Sequence, residues 1–383
     1  MEALVTGADL PSERFWRNRR VLLTGHTGFK GTWMALWLGS LGARVFGFSN
    51  GELSGRSLFG DLGGLGLTLA EDGRGDVRDQ EAVRAAFDRA APEIVLHFAA
   101  QALVREAHAD PVSTIATNVM GSVHVLEAAR KSGAPCLVLI VTSDKCYENR
   151  AWPWGYRESD ALGGADPYSA SKAGAEILTS AYARSFAVSG GFRVLSARAG
   201  NVIGGGDWAR DRLMPDLVRG LLTGRRIEIR SPGAVRPWQH VLEALSGYLL
   251  LCERAFVDDT FAGQAWNFGP DPASERPVRD IADAVCRLWS TPDGWCRADR
   301  GDPVREADIL RLDSSKARQT LGWFPRWDLP TALEATVAFY RSEFRGADLR
   351  EFAAKQISAY ATAAVDVASG GTDWPAQTPD VGP

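Results

Sequence analysis

Two rhythms of apolar and polar residues alternate along this chain. Short apolar, often β-branched runs recur at residues 21–24, 44–48, 67–69, 94–98, 137–141 and 193–197. Between them lie stretches whose apolar residues recur at helical spacing. Residues 21–24 run directly into a glycine loop and then a helical stretch at 32–38, closed by Gly42. Longer helices are expected over 110–131, ended by Gly133, and from 166 to 187, with Asp166 as cap and Pro167 in the first turn. The run at 137–141 is apolar throughout, as a strand covered on both faces should be. Strand alternating with helix implies an α/β fold, a doubly wound parallel sheet of Rossmann type.

Past residue 198 the pattern changes. Helices over 211–223 and 240–257, a short strand at 227–229 and a closing helix at 329–344 describe a smaller α/β lobe. The expected division is 1–198, with sheet-completing segments from later in the chain, then 199–345, then 346–383 as a C-terminal helix and a tail. From about residue 363 glycines and prolines accumulate, and this tail is expected to be disordered.

Ligands of such sheets bind outside the carboxyl ends of the strands, and several polar clusters fall there. The first is Gly25-His26-Thr27-Gly28-Phe29-Lys30-Gly31. Gly25 permits a tight turn, Gly28 lets a diphosphate reach backbone N–H groups, and Gly31 lets helix and sheet pack closely. A glycine turn without a ligand is the alternative. Asp76 and Val77 could wall an adenine ring, the neighbouring helix cap falling more naturally to Asp79. Ala99, Ala100 and Gln101 are a small-residue loop after the fourth strand, and Asn118 lies in the middle of the following helix. His97, inside an apolar run, reads as a core histidine. The second strand ends in Ser49-Asn50-Gly51, with no acid for a ribose, so the residues alone leave NAD and NADP undistinguished.

The fifth strand delivers Thr142-Ser143-Asp144-Lys145, and the helix after it carries Tyr168 and Lys172, four apart on one face. A phenol beside an ammonium has its phenolate form favoured and can serve as a base. Alone, this pair is no different from two surface residues; the strand and the glycine loop upstream make it a candidate site. In the second lobe Arg212, Arg236, Trp238 and His240 suit a phosphorylated ligand with an aromatic base, although each taken singly could be a surface residue.

Composition narrows the partners. A net charge of −4 with 23% charged residues offers no basic block for nucleic acid, and no apolar run approaches a membrane span. The first ten residues lack the features of a secretory signal. Five cysteines without a Cys-x-x-Cys pair and five scattered histidines predict a reducing cytosol and no metal site.

Longer motifs join these: Ala100-Gln101-Ala102-Leu103-Val104-Arg105, Thr142 to Asn149, Trp152-Pro153-Trp154-Gly155-Tyr156-Arg157-Glu158, Arg198 to Trp208 and Arg236 to Val241. Together they resemble the extended short-chain dehydrogenase/reductase family over residues 15–360, in its sugar-nucleotide 4,6-dehydratase branch. The pair Asp144-Lys145 is similar to that of members acting on CDP-glucose. The resemblance implies NAD as cofactor, a nucleotide-sugar substrate (CDP-glucose) and a homodimer or higher homo-oligomer, with no nucleic acid or membrane partner. It implies a cofactor site of Gly25, Thr27, Gly28, Phe29, Lys30, Gly31, Asp76, Val77, Ala99, Ala100, Gln101, Asn118, Tyr168 and Lys172. Substrate would be held by Arg105, Ser143, Tyr147, Asn201, Asp207, Trp208, Arg212, Arg236, Trp238 and His240.

In the implied chemistry Tyr168 takes the proton of the C4 hydroxyl, and Thr142 hydrogen-bonds the C4 oxygen. Neutral Lys145 removes the C5 proton and protonated Asp144 donates to the departing C6 hydroxyl, with burial expected to favour both neutral forms. The helices at 110–132 and 166–187 would form the dimer face, though no marked apolar stripe is legible on them. Two other readings stay open: a nucleotide-sugar epimerase, which leaves Asp144-Lys145 without a task, and a non-enzymatic nucleotide sensor, which has no need of the Tyr168/Lys172 pair.

Overall fold

The computed structural model describes residues 9–364 except 52–54, 187–190, 292 and 299–307; the expected disordered tail lies, from residue 365, outside the described residues. Six strands arrive in chain order: β1 (Arg20–Thr24), β2 (Arg44–Ser49), β3 (Leu69–Arg74), β4 (Ile94–His97), β5 (Cys136–Val141) and β6 (Phe192–Ala199). Three further strands follow, β7 (Asn201–Ile203), β8 (Ile227–Ile229) and β9 (Val235–His240), before β10 (Ala265–Phe268) returns to pair with β6. The resulting seven-stranded sheet has the order β10-β6-β5-β4-β1-β2-β3 and every pairing in it is parallel. Its strand order reverses at β1, where the connection to β4 crosses over, and this is the switch point at which such sheets open a crevice.

Central strands are apolar because both faces are covered, and all six residues of β5 are buried. Helix Phe29–Ser40 is apolar nearly all round, with Trp33 to Leu38 all buried. Helix Val241–Val257 packs against β5, β6 and β10, so a segment from beyond the expected boundary completes the first layer. The C-terminal helix Leu349–Thr362 docks here too, its Tyr360 hydroxyl donating to Glu243 at 2.6 Å.

Three expectations are corrected. The third strand lies at Leu69–Arg74, not 67–69, because an edge strand pairs on one side only and its backbone bonds to β2 tolerate a polar run. The helix at 110–131 is one continuous rod only in outline: Pro111–Ile115 and Gly121–Lys131 are joined through a widened π turn, Ala116–Met120, which carries Asn118. Its outer face, and that of helix Pro167–Phe186, do carry exposed apolar residues, Val112, Ile115, Met120, Ile177 and Phe186.

The second lobe is built on β7 and β9, with β11 (Glu275–Pro277) antiparallel to β9, and on β12 (Trp295–Arg297) paired with β8. Its own core gathers Leu217, Trp238, Ile281, Val285 and Leu333.

Candidate active site

A cavity of about 410 Å³ opens at the carboxyl edge of the main sheet and is closed from the other side by the second lobe. Gly25, Gly28, Phe29, Lys30 and Gly31 form one wall. A Cβ on Gly25 would lie 2.7 Å from the backbone nitrogen of Ala99, and one on Gly31 would lie 2.1 Å from the Gly25 carbonyl oxygen. Only glycine lets these segments approach so closely, and Gly28 then caps a helix whose first residues, Phe29 to Gly31, line the cavity with the first-turn N–H groups that an α-helix leaves without intrahelical partners. A dinucleotide diphosphate fits this wall.

Behind it the first loop is braced by side chains. Thr27 shares a 2.7 Å hydrogen bond with Ser49, and Ala99 donates its N–H to Thr24 Oγ1 at 3.2 Å. Asp76 is paired with Arg78, while the Val77 carbonyl accepts from His124 Nδ1 at 2.8 Å. Asn118 holds the Gln101 backbone from both sides, at 2.9 Å each, and donates to Ser171 at 2.8 Å. Gln101 and Asn118 are thus engaged with protein, shaping the loop at Ala100 that does line the cavity. His97 is a satisfied core histidine, bridging Thr24 and Ser122.

The opposite wall carries the chemistry. Thr142, Ser143, Asp144 and Lys145 follow β5, and Tyr168 and Lys172 face them from helix Pro167–Phe186. Asp166 caps that helix, accepting from the Ser169 N–H at 3.0 Å. Asp144 is 2% exposed and accepts from the Ser143 hydroxyl at 2.9 Å, yet its Oδ2 has no protein partner. Burial pushes this carboxyl above its ordinary pKa, against the pull of Lys145, Ser143, Arg236 and Lys30. Lys145 is only partly buried at the cavity wall, less sealed than its expected role asked.

The Tyr168/Lys172 pair differs from expectation. Burial pushes the Tyr168 phenol up to about 12, and the groups that counter it include Ser143 and Arg212. Lys172 turns its ammonium to the Val141 carbonyl at 3.2 Å, and burial lowers its pKa to about 8 against the opposing pull of Glu176 and Cys146. Desolvation therefore outweighs the favouring of the phenolate that helical spacing suggested. Lys30, expected on the cofactor, sits between the two ligand regions: burial, Arg212 and Lys172 lower it to about 8, while Asp144 and Asp207 hold it up.

From the second lobe Asn201, Asp207, Arg212, Arg236 and Trp238 reach the cavity, as does Arg105 from the first. Arg212 is paired with Asp207 at 3.2 Å, and Arg105 with Asp211 at 3.3 Å. Three residues expected on the substrate lie elsewhere. Tyr147 is 1% exposed, donates to Asn267 at 2.8 Å and stacks on Tyr156. Trp208 packs edge-on against Tyr340 beneath the Arg56 guanidinium. His240 is fully buried against Trp33 and Trp327, and desolvation lowers it to about 3. Each closes a seam between segments, which motif position alone does not reveal. Glu176 was missed, although it continues the Tyr168, Lys172 spacing by one more turn.

A family model described as GDP-mannose 4,6 dehydratase matches residues 22–336. The chain belongs to that family. It is 44% identical over 356 residues to the CDP-glucose 4,6-dehydratase of Salmonella typhimurium, covering 92% of this chain and 98% of that protein. A dTDP-glucose 4,6-dehydratase from Streptomyces antibioticus is 30% identical over 70% of this chain and 75% of its own. Among solved structures, a dTDP-glucose 4,6-dehydratase from Streptomyces venezuelae with NAD and TYD bound superposes with a TM-score of 0.73 at 24% identity, over 86% of this chain and 99% of that one. The shared fold is the Rossmann-type sheet of sugar-nucleotide dehydratases and epimerases.

Proposed function

We propose that this family member catalyses the NAD-dependent 4,6-dehydration of CDP-glucose to CDP-4-keto-6-deoxyglucose. One observation carries the reading: the same cavity holds the Tyr168/Lys172 pair and, beside it, a buried carboxyl with a partnerless oxygen next to Lys145. An epimerase has work for the first pair and none for the second. CDP-glucose is preferred among the sugar nucleotides because the Salmonella typhimurium relative, 44% identical and matched over nearly its whole length, is named for it.

Gly25 to Gly31 and Lys172 would hold NAD, which would supply the hydride acceptor for C4 and, once water has left, the hydride for C6. Tyr168 takes the proton from the C4 hydroxyl, with the positive charge of Arg212 and the Ser143 hydroxyl favouring its anion against burial. The 4-ketone acidifies C5, whose proton goes to Lys145. Burial raises the Asp144 pKa and so favours the protonated form that delivers a proton to the departing C6 hydroxyl. Gly200 leaves the room: a Cβ there would stand 3.2 Å from Asp144 Oδ2. Arg236, Arg212 and Trp238 lie where a diphosphate and a base could be received.

The two lobes divide the work as cofactor domain and sugar-nucleotide domain. The five cysteines are free thiols, four of them buried, which suits a reducing cytoplasm. A homodimer would cover the apolar face formed by Val112, Ile115 and Ile177, the first of these 77% exposed. Incubation with CDP-, dTDP-, UDP- and GDP-glucose, with and without NAD, tests the reading. The expected result is a 4-keto product one water lighter from CDP-glucose; an isomer of unchanged mass would make the protein an epimerase.

A further inference from the structure

Two of the proposed steps move a proton in opposite senses. Tyr168 takes one from the C4 hydroxyl, and Asp144 gives one to the departing C6 hydroxyl. Lys145 takes one from C5 and returns it there when hydride reaches C6. After a turnover, then, Tyr168 holds one proton more, and Asp144 one fewer, than before it. Both side chains line the cavity, and the two residues are only 8% and 2% exposed.

Ser143 touches both groups. Its Oγ donates to Asp144 Oδ1 at 2.9 Å, and its side chain hydrogen-bonds the Tyr168 phenol. The same Oγ accepts from the Lys145 backbone N–H at 3.2 Å. A hydroxyl has one proton and two lone pairs, so the lone pair left over is the one open to the phenol proton. We propose that Ser143 is a proton relay from Tyr168 to Asp144, which links oxidation at C4 to the loss of water at C6. This deepens the dehydratase reading and rests on it.

As the C4 hydroxyl gives its proton to Tyr168 Oη, the phenol passes its own to Ser143 Oγ, and the serine passes its own to Asp144 Oδ1. Each O–H bond broken is matched by one formed: phenol and serine end as they began, and Asp144 becomes the acid. Among the described residues Oδ1 is held by Ser143 alone and Oδ2 by none, so a half-turn of the carboxyl brings the new O–H to the cavity. Donation to the departing C6 hydroxyl restores the carboxylate. No proton is drawn from solvent and no free phenolate accumulates, which suits a phenol that burial pushes up to about 12. Burial also raises Asp144, which makes its carboxylate a better acceptor at the end of the relay.

The relay makes oxidation at C4 depend on Asp144, a group assigned to C6. The enzyme loaded with NAD is mixed with CDP-6-deoxyglucose, which has no C6 hydroxyl to lose, and reduced nicotinamide is followed by its absorbance. Asparagine cannot take the relayed proton, so Asp144→Asn should slow this oxidation by about tenfold or more. Charge alone predicts the reverse, because the Asp144 carboxylate raises the Tyr168 pKa and its loss would make the phenol a better base. Ser143→Ala should slow the same phase by a similar factor, and adding Asp144→Asn to it should slow it no further. Ser143→Thr, which keeps the hydroxyl, should recover most of what Ser143→Ala loses. Should one of the two single variants fail to fold, the other decides. An Asp144→Asn or Ser143→Ala enzyme that oxidises C4 at the wild-type rate overturns the relay, as do losses that multiply in the double variant. Dehydration of CDP-glucose by the wild type then leaves the dehydratase reading standing. A wild-type enzyme inert toward CDP-glucose overturns that reading and this one with it.

Discussion

Two buried carboxyl groups, Asp144 and Glu243, are 2% and 0% exposed, and burial raises the pKa of both. Around Glu243 every oxygen is engaged: it accepts from the backbone N–H groups of Arg326 and Trp327, the latter at 2.7 Å, and from the Tyr360 hydroxyl. It pins the C-terminal helix to the main layer. Asp144 accepts from one hydroxyl, and its second oxygen has no protein partner where it meets the cavity. Burial and a raised pKa are therefore shared by a structural clamp and a candidate acid. What separates them is hydrogen-bonding capacity left open beside a space that substrate can enter.

That contrast can be tested from both sides. Removing the proton donor should give the largest effect: Asp144→Asn is expected to lower kcat by about 10²–10⁴ with little change in melting temperature. Lys145→Ala should slow loss of the C5 proton by a comparable factor of about 10²–10⁴, read as solvent deuterium incorporation into product; unchanged incorporation would remove Lys145 from the role of base. At the clamp the outcomes exchange. Glu243→Ala leaves the Arg326 and Trp327 N–H groups unpaired and the Tyr360 hydroxyl with Ser246 alone, and should cost about 3 kcal/mol in denaturant unfolding while turnover per folded molecule stays at wild type.

The smallest effect is a slope. Glu243 titrates near 4.5 when unfolded and at about 7 in the fold, so between those pH values the folded state binds the extra proton. Its contribution to stability is greatest below about 4.5, declines as pH rises, and levels off above about 7. Glu243→Gln should flatten this segment of the stability profile; an unaltered slope would assign it to other groups.

Much of the architecture was legible because its physics is local. Fully covered parallel strands need unbroken apolar runs, which exposes β1, β2, β4, β5 and β6 to a reading of pattern alone. β3 and β10 were misplaced or missed: one is a polar edge strand and the other is four residues long with a buried Asn267 in it. Tyr147, Trp208 and His240 lie within or beside the motifs and carry polar aromatic side chains, so proximity in sequence suggested a substrate. Packing turned them inward, because each fills a gap between segments remote in the chain, as Trp208 does against Tyr340.

The order of residues by itself determined the strand–loop–helix setting of Gly25 to Gly31, the polar cluster at the end of β5, and the shared face of Tyr168 and Lys172. Those features depend on backbone periodicity and steric freedom, which a short stretch of chain carries within itself. Only the tertiary structure decided that Asp144 would be dry with an oxygen unengaged, that Lys172 would turn to the Val141 carbonyl, and that Glu176 would take the Thr142 proton. Desolvation and hydrogen-bond direction are set by what packs around a group, and here those neighbours come from β5, β6 and a helix more than twenty residues away along the chain.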